Sequence, residues 1–117
     1  MASTMEVPHP LPEALAEMIA RRFRTLSDPT RLRLLDALRE GPKTVTELTE
    51  ATATTQQNAS KHLGLMLQAG LVSREREGTR ALYEIVDPVI FDLCELVCGG
   101  IRSHINDLDQ IMQGVNP

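Results

Sequence analysis

Three features of this 117-residue sequence predict a mainly α-helical protein carrying one small two-stranded antiparallel β-wing. Apolar residues recur at three- and four-residue spacing through most of the chain. Cap-plus-proline signals divide those stretches into separate helices. In one segment around residue 80 the period drops to two.

The first ten residues carry Pro8 and Pro10 with few apolar side chains and read as a flexible arm, leaving residues 11–112 as the folded domain and 113–117 as a tail. Leu11, Leu15, Met18, Ile19, Phe23 and Leu26 lay out a first amphipathic helix that ends before Ser27. Ser27-Asp28-Pro29 then supplies a capping side chain and a proline whose missing N–H costs nothing in a first helical turn. The second helix offers Leu32, Leu34, Leu35 and Leu38 to the core and closes at Glu40-Gly41-Pro42. Thr44 caps a third helix to Ala51, with Glu47 three residues on as its capping-box partner and Val45 and Leu48 facing inward. Thr52-Ala53-Thr54 makes a tight break before a fourth helix from about Thr55 to Ala69, whose core set is Ala59, Leu63, Met66 and Leu67 and whose stop is Gly70. Two short helices joined this closely form a helix-turn-helix. Residues 71–76 and 80–85 alternate in the strand sense around Glu77-Gly78-Thr79 and read as a hairpin. Asp87-Pro88 opens a last helix of about 25 residues, roughly 37 Å long.

Composition narrows the function classes. Apolar residues make up 42% and charged residues 24%, so wholesale disorder and low-complexity repeats are excluded. Aromatics are only 3%, which removes the stacked rings of a single-stranded RNA platform. No apolar run reaches the roughly 20 residues of a membrane span, and no leader pattern precedes the first helix, so a cytoplasmic location is expected. The two cysteines are too few for a disulfide scaffold. A net charge of −4 argues against coating nucleic acid by bulk charge, but the acid is concentrated at one end. Residues 55–85 hold four basic against three acidic side chains, whereas residues 86–117 hold one against five.

The order of helices, helix-turn-helix, hairpin and long terminal helix is that of a winged helix-turn-helix DNA reader. The segments Phe23 to Leu35, Glu47-Leu48, Gln56 to Leu63, Ala69-Gly70-Leu71-Val72 and Gly78 to Tyr83 resemble, in this order and spacing, the ArsR/SmtB family of bacterial transcriptional regulators. The resemblance covers roughly residues 20–90. It implies a DNA-binding transcriptional regulator, in the repressor sense, acting on a pseudo-palindromic operator in double-stranded DNA. It also implies a homodimer joined through the first and last helices.

The residues agree with that reading on their own chemistry. Thr55, Gln56, Gln57, Ser60 and Lys61 fall in the first two turns of the fourth helix, where amides and hydroxyls can meet base edges in a major groove and a cation can meet phosphate. His62 is placed either to touch DNA or to cap the domain surface. Arg74, Arg76 and Arg80 of the hairpin can reach phosphates or a minor groove, or can be tied up by the interleaved Glu75 and Glu77. Along the last helix Ile90, Cys94, Val97, Ile101, Ile105 and Leu108 recur at spacings of three and four, a seam suited to pairing two helices.

The resemblance also implies a possible effector, since many members of the family release DNA on binding a metal ion. The thiolate site known on the third helix is missing, because Thr49-Glu50-Ala51 follows Glu47-Leu48; the terminal-helix site is broken, because Val89 stands where the resemblance expects histidine. Two sets of donors remain. Cys94 and Cys98 are four apart on one helix face and can direct two thiolates at a soft ion or a thiol-reactive effector; the same pair can equally be core packing. His104 with Asp107, assisted by His9, forms an alternative set suited to harder ions, or a solvated surface pair. Nickel, zinc, cobalt, cadmium and arsenite are not distinguished by this pattern.

An enzyme finds no support: there is no phosphate-binding glycine loop and no nucleophile elbow, and the three histidines are scattered. A winged-helix module serving protein assembly and a regulator without effector are the remaining rivals.

Overall fold

The computed structural model describes residues 6–114, so residues 1–5 of the expected arm and 115–117 of the expected tail lie outside the described residues. Within the stretch expected to be one domain the chain divides into two compact units, with the boundary between Val86 and Asp87.

The first unit opens with α1 (Glu13–Leu26), entered from Pro12. Asp28 caps α2 (Pro29–Ala37): its Oδ1 accepts from the backbone N–H of Thr30 at 2.8 Å and of Arg31 at 3.1 Å. A 3₁₀ turn, Leu38–Glu40, tightens the end of α2 and runs into Gly41 at φ +136°, a conformation that favours glycine. Leu34, Leu35 and Leu38 are buried, but Leu32 is 39% exposed, contrary to its expected core role. At about 100° per residue the first three share an arc and Leu32 falls outside it.

The wing is not two-stranded. Lys43–Thr44 forms β1, and with β2 (Val72–Glu77) and β3 (Arg80–Ile85) it makes a three-stranded antiparallel sheet in the order β1-β3-β2. Lys43 pairs with Tyr83 and Thr44 with Leu82. A two-residue strand has no alternation to read, and Thr44 doubles as the cap of the next helix, which masked its extended backbone.

α3 (Val45–Thr52) and α4 (Gln56–Gln68) follow as expected. Leu34 and Leu35 of α2, Leu48 of α3, Leu63 and Met66 of α4 and Val72 of β2 are the largest fully buried side chains, joined by Ala59, Leu71 and Tyr83. The aliphatic core therefore sits where α2, α3, α4 and the inner ends of β2 and β3 meet.

The second unit is α5 (Val89–Met112), 24 residues long and started by the Asp87 carboxylate accepting from the Val89 N–H at 3.0 Å. The helix is continuous through Gly99 and Gly100, and none of its residues is buried. Val97, Ile101 and Ile105 are 55%, 55% and 56% exposed, so an apolar stripe remains uncovered in the single chain. No described helix is long and apolar enough to cross a membrane.

Candidate nucleic-acid interface

The helix-turn-helix is built by local hydrogen bonds that the sequence encodes directly. Thr44 Oγ1 accepts from the Glu47 N–H at 3.2 Å while Glu47 Oε1 accepts from the Thr44 N–H at 2.8 Å, a reciprocal capping box. That N–H from Thr44, with the Thr44 hydroxyl, holds the Glu47 carboxyl below its ordinary range. The N–H of Arg31 does the same to Asp28, helped by the Thr30 N–H. The turn itself is closed by Ala53 in the left-handed region, φ +54° and ψ +38°.

Past the turn, Thr55 caps α4 by accepting from the Asn58 N–H at 3.0 Å, and Asn58 Nδ2 donates to Thr54 Oγ1 at 2.9 Å. Gln56 Nε2 donates to Thr46 Oγ1 of α3 at 3.2 Å, which ties the start of α4 to the preceding helix. Two of the residues expected to face DNA are thus engaged: Thr55 as the cap, Gln56 as a brace. Gln57, Ser60 and Lys61 are exposed and carry no protein partner among the described residues. They lie opposite the buried side of α4, formed by Ala59, Leu63 and Met66. An open depression beside the turn is lined by Thr54, Thr55, Gln57, Asn58 and Lys61. Gly64 follows one turn later on the exposed side, with nothing within 4 Å of the position a Cβ would take.

His62 is corrected. It is 8% exposed, and its Nδ1 lies 3.3 Å from Arg31 Nη1. A guanidinium only donates, so Nδ1 accepts and the ring proton sits on Nε2. The side chain lies at the junction of α2 and α4. The single-letter pattern gave no sign of this, because Arg31 and His62 are 31 residues apart. Arg31 also donates from Nε to the Thr25 carbonyl at 2.7 Å, closing the end of α1. Asn58 was missed as well, although a capping threonine three residues earlier is a readable signal.

The hairpin sorts its charges by face. Residues paired across strands share a face, and Arg74 pairs with Tyr83 and Arg76 with Ala81, while Glu75 pairs with Leu82 and Glu77 with Arg80. The glutamates therefore point away from Arg74 and Arg76, which are exposed and unpaired among the described residues. Arg80 is engaged with Glu77 at 3.3 Å, an exposed pair of small energetic weight.

On α5, Cys94 and Cys98 are exposed free thiols one turn apart, and His104 and Asp107 are also exposed. Among the described residues no three His, Cys, Asp or Glu side chains gather as a metal-binding group.

Comparisons with known proteins agree with this geometry. A helix-turn-helix domain family model matches residues 26–75. The chain is 38% identical over 94 residues to the "Probable mercury resistance operon repressor" of Streptomyces lividans, covering 80% of this chain and 72% of that protein. It is 34% identical over 80 residues to the HTH-type transcriptional repressor SmtB of Mycobacterium tuberculosis, covering 68% and 59%. Among solved structures, the homodimeric winged helix-turn-helix DNA-binding domain of Mb0332 from Mycobacterium bovis, described as a possible ArsR-family transcriptional regulator, superposes with a TM-score of 0.69 at 33% identity, covering 80% of this chain and 87% of that one. Fold, helix-turn-helix chemistry and relatives converge: the chain belongs to the ArsR/SmtB family of winged helix-turn-helix transcriptional regulators.

Proposed function

We propose that two copies of this chain pair through the apolar faces of α1 and α5 and set the start of α4 into successive major grooves of a pseudo-palindromic operator, repressing transcription there. One observation carries this reading most: Gln57, Ser60 and Lys61 form an unpartnered polar surface on α4, whose opposite side is locked into the core. Gln57 and Ser60 are the base-edge readers, and Lys61, Arg74 and Arg76 neutralise phosphates. The uncovered stripe on α5 and the exposed Met18 and Phe23 on α1 are the surfaces a second copy would bury. Two-fold pairing supplies the second reading helix and places half-sites about one helical turn apart. The test is selection of a duplex from a random library by the full chain. A two-fold related sequence should be recovered, and Gln57→Ala should relax its selectivity; recovery of no sequence would favour the assembly module instead.

The exposed pair Cys94 and Cys98 favours a thiol-directed effector over the His104 and Asp107 set, since two thiolates alone suffice for a soft two-coordinate ion. Titrating the DNA complex with mercuric ion should release wild-type protein and leave Cys94→Ser/Cys98→Ser bound.

A further inference from the structure

Arg31 reaches beyond His62. It borders an open depression of about 390 Å³ formed between the C-terminal half of α1, the start of α2 and the end of α4. Arg21, Arg24 and Arg31 line it together with Gln68, Leu65 and Ala69, and no carboxylate is among its lining residues. In a chain of net charge −4, three arginines line one depression, and Asp28, the carboxylate that interacts electrostatically with Arg31, is not among its lining residues. The side chains of Arg21 and Arg24 have no hydrogen-bond or ion-pair partner among the described residues.

Arg31 is held in place by three bonds, to the Thr25 carbonyl at 2.7 Å, to His62 at 3.3 Å and to the Arg24 carbonyl at 3.5 Å. A guanidinium has five N–H donors, so two remain for a ligand. Two of these bonds satisfy the Arg24 and Thr25 carbonyls near the end of α1, which would otherwise put partial negative charge at the rim. Guanidinium forks match planar carboxylate and phosphate oxygens, and the half-open Leu65 with Ala69 supplies an apolar floor.

We propose that this depression binds a small organic oxyanion, a carboxylate or phosphate monoester with an apolar portion, and that its occupation regulates DNA binding through Arg31. The link is direct: an oxyanion taking the two free N–H groups of Arg31 pulls on the same guanidinium that bonds to His62, and His62 lies on α4 one residue after Lys61. Leu65 is eight residues along α4 from Gln57, about 12 Å of helix, so the depression is separate from the DNA-reading turn. The binding site stands without the DNA-reading function; only its regulatory consequence rests on it, and the two are measured separately.

Calorimetric titration of the full chain with inorganic phosphate and with phenyl phosphate, at constant ionic strength in chloride, tests the site. Saturable binding is expected, tighter for phenyl phosphate, with about a tenfold loss in Arg21→Gln/Arg24→Gln while its thermal melt is unchanged. Unsaturable heats, or equal affinity in that variant, overturn the proposal. A DNA backbone phosphate is the rival source of the same chemistry. In chloride alone the variant should bind a selected duplex within about twofold of wild type; a large loss there, without any loss of phenyl phosphate binding, assigns the arginines to DNA and overturns the ligand site. Phenyl phosphate should weaken duplex binding several-fold in wild type and not in the variant, and no effect in either overturns the coupling. Were no duplex bound at all, the DNA-reading function would fail while the calorimetry still decided the site.

Discussion

At the residue scale, the side chains of α4 divide by what already holds them. Thr55 and Gln56 are spent on the cap and on the brace to Thr46, whereas Gln57 and Lys61 have no protein partner among the described residues and are the proposed contacts with DNA. Lys61→Ala should weaken binding uniformly across duplex sequences and reduce the slope of log affinity against log salt by about one. Gln57→Ala should instead cost roughly 1–3 kcal/mol on the preferred duplex and little on a random one. Fluorescence-anisotropy titrations at several salt concentrations separate the two patterns. The lowered Asp28 and Glu47 carboxyls make a second residue-scale prediction. Each binds its proton more weakly folded than unfolded, so each stabilises the fold at neutral pH. That contribution fades as pH drops below about 4, where unfolded-chain carboxyls take up protons first. The urea midpoint should fall through that window, and the fall should be shallower in Asp28→Asn/Glu47→Gln; an unchanged slope in the variant would contradict the caps as its source.

At the element scale, α4 is positioned by its buried side. Leu63 is fully buried, and Leu63→Ala should cost about 2–5 kcal/mol in urea denaturation. A cost near zero would mean that the core does not hold α4 as described. The five helices and the hairpin were legible because each is announced by neighbouring residues: Asp28-Pro29, Thr44 with Glu47, Thr55 before Gln56, Gly78 at the strand turn. What escaped depends on partners distant in sequence. β1 exists only because Tyr83 and Leu82 offer it a ladder 38 to 40 residues later. The Arg31 contact with the buried His62 crosses 31 residues, and no local rule could announce it. The sorting of Arg74 and Arg76 from Glu75 and Glu77 follows from the pleat once the register is known.

At the scale of the whole molecule, one chain offers a single reading helix, and its long last helix has no buried residue. Covering the Val97, Ile101 and Ile105 stripe with a second copy accounts for both. Ile101→Asp/Ile105→Asp should convert a dimer into a monomer in sedimentation velocity and lower affinity for a two-half-site duplex, while single half-site binding stays weak and unchanged. The most direct measurement of the central claim is the stoichiometry and salt dependence of binding to a selected duplex, run on wild type beside Gln57→Ala/Lys61→Ala. Two chains per duplex, affinity that drops steeply with salt, and marked loss in the double variant are predicted. One chain per duplex, or binding indifferent both to salt and to these two side chains, would contradict it.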